Sequence, residues 1–347
     1  MNRRDVLSGA VKLGAFAANV APFVVPCQAQ AGTTISFASW GGSYGDFIKE
    51  FWIKPFTAET GISVDYVNGP DLAKVKAQVT SNSVLWDVFD TSGAVAYAGA
   101  KEGFWELIDT KIVDSTRFAR SSPAFAVPTA IYAGGIAYDP SRTKRPADDF
   151  GQLWDVKNFP GRRSLRGENG TSETLQLALL ADGVAPTELY PLDVDRAFKA
   201  LDRIKPHVKK WYSATAEGVS LIQTNEVDYT FTFANRVRSA KEAGVSIDFS
   251  FGQCISSVQY CTILRGSPRK EAAMRFLEFI TRPAQQVLIA NKLGVLPVTK
   301  GAEQSMDERA RRWVPDLNSP KNVFTNEEYW ADHHVELDKR FKEWILM

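Results

Sequence analysis

The sequence predicts an α/β protein with two lobes, and three observations lead to this fold class. In the first hundred residues, runs rich in β-branched and aromatic residues alternate with runs that repeat apolar residues at helical spacing. The same alternation returns in the middle of the chain. Two further apolar segments, one on each side of that middle region, have the length of strands that cross between two lobes.

The first lobe is predicted to begin with a strand over 34–40, a glycine-rich loop over 41–45 and a helix that turns Phe47, Ile48 and Phe51 inward. The elements that follow are a strand at 62–66, a helix in which Leu72, Val75 and Val79 share a face, and a strand at 86–90. Strands separated by helices imply a parallel sheet that is covered on both faces.

The second lobe is predicted to contain helices at 172–181 and 194–204 and an alternating strand at 227–233. The segments 131–138 and 258–264 are predicted to lead into this lobe and back out of it. The last third is predicted to be helical at 271–281, at 284–292 and from Trp330 onward. The predicted domains are therefore 32–135 plus 263–347 for lobe 1 and 136–262 for lobe 2.

Residues 1–31 have the pattern of an export signal. Arg3 and Arg4 precede an apolar stretch over 13–25, and Ala29-Gln30-Ala31 supplies the small-x-small pattern that a signal peptidase cleaves. We predict a twin-arginine signal peptide cleaved after Ala31 and a periplasmic mature protein, with the general secretory route as the alternative. A buried helix is disfavoured because two prolines would break it, and the stretch is shorter than the ~20 residues that span a bilayer.

The composition of the mature chain favours a small-molecule partner. The leader contains Arg3, Arg4, Lys12 and Asp5, so its removal from the 347 residues leaves 316, lowers Lys+Arg from 41 to 38 and Asp+Glu from 40 to 39, and gives a net charge of −1. This length suits two domains. A nearly neutral chain gives no electrostatic reason to expect nucleic acid or an anionic membrane as partner.

Two cysteines remain after the leader, which contains Cys27, is removed. An oxidising compartment would allow Cys254 and Cys261 to form a disulfide, and two buried free thiols are the alternative. Their spacing does not decide between the two.

The usual signatures of catalysis are missing. The chain has no P-loop, no dinucleotide-binding Gly-x-Gly-x-x-Gly, no Gly-x-Ser-x-Gly elbow and no His-Glu-x-x-His. The histidines are His207 and the adjacent helical pair His333 and His334, whose side chains point in different directions and make a poor metal site. Neither mature cysteine has a neighbouring histidine that would activate it. We therefore predict no enzyme, no metal and no cofactor.

Several candidate site residues lie where strands of the first lobe end, which is where parallel α/β sheets bind ligands. Trp40 ends the first strand and offers a stacking surface, and Gly41 lets a ligand approach the backbone. A core tryptophan is the alternative for Trp40. Ser92 follows the third strand, where its hydroxyl either caps the next helix or binds solute.

Two charged positions follow in the second lobe. Glu173 lies in the first turn of a helix, where a carboxylate complements the helix dipole and can also hold a ligand ammonium. Asn235 and Arg236 follow the strand that ends at Phe233. A guanidinium there can bind a carboxylate through two parallel hydrogen bonds, and an ordinary surface charge is the alternative.

Six short segments occur in an order and at spacings that are more specific than any one of them. They are Ser39-Trp40-Gly41-Gly42, Phe56-Thr57-Ala58-Glu59-Thr60-Gly61-Ile62, Trp86-Asp87-Val88, Lys101-Glu102-Gly103, Ala272-Ala273-Met274-Arg275-Phe276-Leu277 and Leu293-Gly294-Val295-Leu296-Pro297. Together they resemble the extracellular solute-binding proteins of family 1, especially the spermidine/putrescine group. The resemblance implies a type II periplasmic-binding-protein fold, with two α/β lobes joined by a two-strand hinge and one solute in the interlobe cleft. It also implies an inner-membrane ABC permease as partner, and we expect a monomer.

The resemblance also implies roles for single residues. Trp40 matches the cleft aromatic, Ser92 the hydroxyl of the second binding loop and Glu173 an amine-binding carboxylate, while Tyr44 matches a cleft residue with a one-residue shift. The chain departs from the polyamine pattern at several positions. Gly170 replaces a second acid, Ser257 and Gln259 replace a Trp and an Asp of the return strand, Val295 replaces a later cleft tyrosine, and Arg236 replaces a small residue.

These departures favour a zwitterion over a polyamine. Each buried cation of a polyamine requires a carboxylate, and Glu173 supplies only one. Arg236 would repel a polyamine, whereas Arg236 opposite Glu173, with Gln259 between them, suits an amino-carboxylate. We predict the substrate-binding component of an ABC importer for a small amine-containing solute, of the polyamine class or an amino-carboxylate. The alternatives are a periplasmic enzyme and a chemosensory receptor subunit with the same fold.

Overall fold

The computed structural model describes residues 32–168 and 170–347. The predicted signal peptide and its cleavage site after Ala31 lie outside the described residues. Within those two ranges, no helix is long and apolar enough to cross a membrane.

The strands of the described residues form one mixed sheet. They are β1 Thr34–Ser39, β2 Ser63–Asn68, β3 Val88–Ser92, β4 Val127–Tyr138, β5 Arg163–Arg166, β6 Val208–Tyr212, β7 Tyr229–Phe233, β8 Asp248–Ile263 and β9 Val323–Phe324. Their order across the sheet is β2-β1-β3-β8-β4-β7-β5-β6, with β9 paired to β8.

The α-helices of the same residues connect and cover these strands. They are α1 Ser43–Phe47, α2 Lys54–Thr60, α3 Leu72–Thr80, α4 Gly93–Lys101, α5 Phe150–Trp154, α6 Thr171–Ala181, α7 Val194–Ile204, α8 Glu217–Gln223, α9 Ala234–Glu242, α10 Lys270–Ile280, α11 Pro283–Leu293, α12 Glu308–Arg311 and α13 Glu327–Leu346. A π-helical segment, Ile48–Ile53, joins α1 to α2.

Local sequence explains where several of these helices begin and end. The side chains of Asp71, Asp193 and Asn326 accept hydrogen bonds from the first-turn backbone amides of α3, α7 and α13. Helix α11 starts with Pro283, which fits the first helical position, and ends at Gly294, whose φ of +68° is the left-handed conformation of a helix C-cap.

The sheet is parallel at its two sides and antiparallel in its centre. Strand β1 runs parallel to β2 and β3, and β5 runs parallel to β6 and β7, as the sequence predicts for each lobe. Strand β8 runs antiparallel to β3 and β4, and β4 runs antiparallel to β7. The centre differs because β4 and β8 carry the chain out of one lobe and back again, so that one strand of this pair runs against the other.

Two large cores lie on either side of this central pair. The first contains Trp52, Phe56 and Phe276, packed around β1 and the first-lobe ends of β4 and β8. The second contains Phe150 and Phe231, together with buried residues of α6 and α7. Each lobe therefore has its own hydrophobic core, and β4 and β8 contribute to both.

The last helix, α13, packs into the second core. Its buried residues Trp330, Leu337, Phe341 and Trp344 lie in the cluster that contains Phe198 of α7. The same helix also contacts α4 of the first lobe. The predicted lobe boundaries stay a prediction, and α13 is the element that they fit least well.

The two mature cysteines are free and buried. They lie seven residues apart on β8 and belong to different hydrophobic clusters, Cys254 with Phe249 and Cys261 with Phe37. Burial raises the pKa of the Cys254 thiol to about 12 and raises that of Cys261 as well. Of the two alternatives left open by the sequence, the structure has the free thiols.

Candidate functional site

Strand ends from the two halves of the sheet face each other across the middle of β4 and β8. Ser92, at the end of β3, pairs with Gln259, which in turn pairs with Ala130 of β4. Phe233, at the end of β7, pairs with Gly134 of β4. Ala130 and Gly134 are four residues apart, so the two strand ends are separated by about 13 Å along β4. We call this gap the cleft.

The floor of the cleft contains the cross-strand pair Tyr132 and Ser257. The ring of Tyr132 packs edge-on against Phe233, with 5.4 Å between ring centroids. Burial raises the pKa of the Tyr132 hydroxyl, and the charges of Glu327 and Glu173 raise it further. The floor therefore presents a neutral phenol with two carboxyl groups nearby.

Trp40 and Gly41 lie at the first-lobe edge of the cleft, directly after β1. The Trp40 side chain is 43% exposed, and its backbone carbonyl accepts a hydrogen bond from the hydroxyl of Tyr66. A Cβ built on Gly41 would approach Oδ1 of Asn68 to 2.6 Å. Glycine at 41 therefore allows a close approach of two loops, and the indole of Trp40 has an open face, unlike that of a core tryptophan.

Tyr44 lies in α1, behind this edge, with its hydroxyl buried. Burial raises the pKa of Tyr44 well above its usual range, and the charge of Asp90 adds to the shift. The Tyr44 hydroxyl lies against the carboxyl group of Asp90, and the hydrogen bond between the two groups raises the pKa of Tyr44 and lowers that of Asp90.

Gln259 is engaged inside the first lobe. Its side-chain amide donates to Oδ1 of Asp90, whose other oxygen accepts a 2.6 Å hydrogen bond from the hydroxyl of Ser39. Burial raises the pKa of Asp90 to about 6, although hydrogen bonds from Ser39, Gln259 and Tyr44 act to lower it. The predicted bridging position of Gln259 between Glu173 and Arg236 is not among its contacts.

Ser92 occupies the N-cap position of α4 without making a side-chain capping bond. Its hydroxyl is therefore not used for the helix cap that the sequence offered as an alternative.

Glu173 and Arg166 form an ion pair at the second-lobe edge of the cleft. Nη1 of Arg166 lies 3.1 Å from Oε1 of Glu173, and the hydroxyl of Ser172 donates to Oε2 at 2.9 Å. Arg166 is 5% exposed and its guanidinium carbon lies 5.7 Å from the centre of the Phe233 ring. Glu173 is thus balanced by a cation that the sequence analysis did not select.

Asn235 and Arg236 form the first turn of α9, beside this ion pair. Arg236 is exposed, and no described residue forms an ion pair or hydrogen bond with its side chain. Although the side chain is exposed, the surrounding protein partly desolvates the guanidinium and lowers the pKa of Arg236, and the positive charge of Arg166 lowers it further. Two guanidinium groups therefore lie close together, and the outer one is uncompensated within the described chain.

Glu327 supplies a second carboxyl group to the cleft. It is the first residue of α13, and a Cβ built on Gly93 at the start of α4 would come within 2.3 Å of its Cδ atom. Its Oε1 is buried and has no hydrogen-bond partner among the described residues. Burial raises the pKa of Glu327 to about 8 and the charge of Glu173 adds to the rise, although backbone hydrogen bonds from Val258 and Ala94 to the carboxyl group act to lower it.

The structure brings the second-lobe candidates Glu173 and Arg236 together around Arg166. It places Trp40, Gly41, Tyr44 and Ser92 at the opposite edge. The sequence analysis missed Arg166, Glu327 and Tyr132. The signal that Arg166 carried was its position, because it lies a few residues before the helix that bears Glu173.

The fold and this site together define a class of protein. Two α/β lobes are joined by two crossing strands, charged groups gather at strand ends between them, and the described ranges hold no cluster of three metal-ligating side chains. This arrangement is that of a two-lobed protein that binds a small polar solute.

The chain belongs to the family described as bacterial extracellular solute-binding protein, whose model matches residues 52–313. It is 30% identical over 336 residues to the gamma-aminobutyric acid-binding protein of Pseudomonas aeruginosa, covering 93% of both chains. It is 24% identical over 346 residues to the spermidine/putrescine-binding periplasmic protein of Escherichia coli, covering 92% of both. The predicted resemblance to solute-binding proteins of this group is confirmed.

Solved structures agree with this assignment. A GABA receptor matches with a TM-score of 0.84 at 32% identity, covering 90% of this chain and 98% of the other. An ABC transporter substrate-binding protein of Bradyrhizobium japonicum matches with the same TM-score at 30% identity, covering 90% and 99%. The type II periplasmic-binding-protein fold is confirmed, and the protein is the substrate-binding component of an ABC transporter.

Proposed function

We propose that the protein captures a small ω-amino carboxylate, of the size of 4-aminobutyrate, in the cleft and delivers it to an inner-membrane permease. It is exported by the signal peptide over 1–31, cleaved after Ala31, and acts in the periplasm as a monomer. It binds its solute without a chemical reaction, a cofactor or nucleic acid.

The observation that carries this proposal is the exposed guanidinium of Arg236 beside the buried guanidinium of Arg166. Glu173 balances one of the two positive charges. Glu327, with a pKa of about 8, is mostly protonated at neutral pH and leaves the other charge unbalanced. A solute carboxylate restores neutrality and binds Arg236 through charge-assisted hydrogen bonds. A polyamine would bring two or more further cations to the same place.

The amine of the solute has a partner of its own. Glu327 has an unsatisfied Oε1 within the described chain, and its charge is felt by Tyr132 at the cleft floor. An ammonium group would favour the ionised carboxylate and satisfy that oxygen. The gap of about 13 Å between the strand ends leaves room for a short solute and the side chains that bind it.

The relatives support this choice of solute class. The gamma-aminobutyric acid-binding relative shares more of its sequence with this chain than the spermidine/putrescine-binding relative does, at 30% against 24% identity. The remaining predicted ligand residues, Trp40, Gly41, Tyr44, Ser92, Asn235 and Gln259, belong to the proposal as the wall around the solute.

Titration calorimetry on the mature protein tests the proposal with four compounds. 4-Aminobutyrate has both charged ends, butyrate and butylamine have one each, and putrescine has two cations. We expect micromolar or tighter binding of 4-aminobutyrate and at least about 100-fold weaker binding of the other three, because each lacks a charge-assisted partner. Tighter binding of putrescine than of 4-aminobutyrate would contradict the proposed solute class.

The alternatives from the sequence have tests of their own. Mass spectrometry of 4-aminobutyrate after prolonged incubation should return the compound unchanged, whereas a product would indicate an enzyme. N-terminal sequencing of the protein recovered from the periplasm should begin at Gly32. Loss of solute uptake on deletion of this chain, with chemotaxis toward the solute retained, would separate an importer subunit from a chemosensory one.

A further inference from the structure

Gly170 lies against the side chain of Arg166. A Cβ built on Gly170 would come within 2.4 Å of Cβ and 2.6 Å of Nε of Arg166. The nearer of these atoms is close to the backbone, so it cannot swing aside as the end of a long side chain can. Any larger residue at 170 must therefore displace the whole Arg166 side chain.

Backbone conformation does not explain the glycine. Gly170 has φ −136° and ψ 15°, so its φ lies outside the left-handed region that favours glycine. It is the N-cap of α6, a position where Ser, Thr, Asp and Asn are the preferred residues, and no side chain caps the helix here. The N-cap of α6 therefore lacks a capping side chain, and the Cβ of any such side chain at 170 would displace Arg166.

The position of Arg166 decides the charge that the cleft presents. From this position Arg166 reaches Glu173, lies next to Phe233 and acts electrostatically on Arg236. If Arg166 moved, Glu173 would lose its cation and become available to a solute ammonium. The absent side chain at 170 thereby controls whether this wall of the cleft is cationic or anionic.

We propose that Gly170 is a specificity-determining position, which selects carboxylate-bearing solutes by leaving the space that the Arg166 side chain fills. The inference rests on the proposed function, because it explains how the same cleft prefers an amino-carboxylate. An acid at 170 would both displace Arg166 and pair with it, which converts the wall to one that accepts a second ammonium.

Titration calorimetry with 4-aminobutyrate and putrescine on Gly170→Ala and Gly170→Asp tests this inference. Gly151→Ala is the matched control, because a Cβ built on Gly151 of α5 meets its nearest atom at 3.4 Å, an ordinary contact. We expect Gly170→Ala to weaken 4-aminobutyrate binding by at least about 10-fold. Gly170→Asp should weaken 4-aminobutyrate binding further, and it should bind putrescine more tightly than the wild type does. Gly151→Ala should bind as the wild type does.

A double-mutant cycle separates displacement of Arg166 from a general disturbance of the helix. In an Arg166→Gly background, which removes the Cβ as well, Gly170→Ala should have no further effect on 4-aminobutyrate binding, because every side-chain atom that it would displace is gone. Equal losses in both backgrounds would overturn the inference, as would wild-type affinity in Gly170→Ala. Thermal unfolding of each variant verifies that the chain remains folded.

The outcomes distinguish this inference from the proposed function. If the wild type binds 4-aminobutyrate and Gly170→Ala binds it equally well, only the role of Gly170 is refuted. If the wild type binds putrescine in preference to 4-aminobutyrate, the proposed solute class is refuted and the inference falls with it.

Discussion

Four charged side chains set the chemistry of the cleft at the scale of single residues. Arg166 and Glu173 are paired, whereas the guanidinium of Arg236 has no ion-pair partner and Oε1 of Glu327 has no hydrogen-bond partner among the described residues. Unsatisfied groups of opposite type at one site are the complement of a zwitterion. The sequence predicted Glu173 from its place in the first turn of a helix and Arg236 from its place after the end of a strand. It did not predict Glu327, which reaches the cleft from a helix about 150 residues further along the chain.

Arg236→Ala should weaken 4-aminobutyrate binding by about 10- to 100-fold, because the solute carboxylate loses its charge-assisted hydrogen bonds. Arg236→Lys should recover only part of the loss, because an ammonium cannot bind a carboxylate in a bidentate fashion. Titration calorimetry measures both, with Arg312→Ala as a control, since the side chain of Arg312 is 73% exposed and pairs with Glu308. Unchanged affinity in Arg236→Ala would show that Arg236 does not bind the solute carboxylate.

Glu327 should release a proton when the solute binds. Its pKa of about 8 means that it is mostly protonated at pH 7, and a solute ammonium favours the ionised form. Affinity for 4-aminobutyrate should therefore rise between pH 6 and pH 8. Calorimetry at pH 7 in buffers of different ionisation enthalpy should detect release of close to one proton per solute. Glu327→Gln should release none, and a wild type that releases none would show that the ammonium binds elsewhere.

The same carboxyl group should affect stability with a definite sign. Because burial raises the folded-state pKa of Glu327 above its unfolded value, its protonated form favours the folded state at low pH. This contribution is lost as pH rises from the unfolded pKa, near 4.5, through the folded pKa, near 8. Without solute, the wild type should lose ~2 kcal/mol relative to Glu327→Gln across that range, allowing for solvent screening. Denaturant unfolding at pH 5 and pH 9 measures the difference in the free energy of unfolding between the wild type and Glu327→Gln. The same difference at both pH values would contradict the prediction.

At the scale of elements, α13 connects the two halves of the molecule. Its first residue, Glu327, touches Gly93 of α4, and its buried face fills the second core. Periodicity predicted the helix from Trp330, and the structure begins it at Glu327, after the capping residue Asn326. Its packing partner was not predictable in the same way, because an apolar helix face fits either lobe.

Trp330 should be the main anchor of α13. It is fully buried, and its indole nitrogen donates a 2.9 Å hydrogen bond to the hydroxyl of Tyr190. Trp330→Ala should lower the free energy of unfolding by about 3–5 kcal/mol, as expected for a large core truncation. Val335→Ala, at a position of the same helix that is 83% exposed, should change it by less than about 0.5 kcal/mol. Denaturant unfolding compares the two variants. If both lowered the free energy of unfolding by less than about 0.5 kcal/mol, α13 would not be packed as described.

The strands show where sequence patterns fail. An apolar run predicted the return strand at 258–264, whereas β8 begins ten residues earlier at Asp248. The early part contains Gly252 and several polar residues, which weaken a strand pattern. Strand β5, four residues long with arginine at both ends, was missed because all four side chains are buried and its charges conceal that burial. Missing β5 meant missing Arg166, which is its last residue.

At the scale of the whole molecule, the predicted fold class is confirmed because it depends on the order of elements rather than on their bounds. The relative placement of the two lobe edges depends on pairing register in β4 and β8, which no local pattern encodes. Register places Ser92 and Phe233 about four residues apart along β4, and thereby creates the cleft. The exposed faces of Trp40 and Arg236 belong to opposite walls of this gap.

Small-angle X-ray scattering of the mature protein tests most directly whether a solute draws these walls together. Saturating 4-aminobutyrate should lower the radius of gyration of the wild type, because Arg236 and Oε1 of Glu327 gain partners that the described chain does not provide. The same concentration should lower the radius of gyration of Arg236→Ala less, because the variant binds the solute more weakly. Scattering curves of the wild type that superimpose with and without bound 4-aminobutyrate would contradict the account.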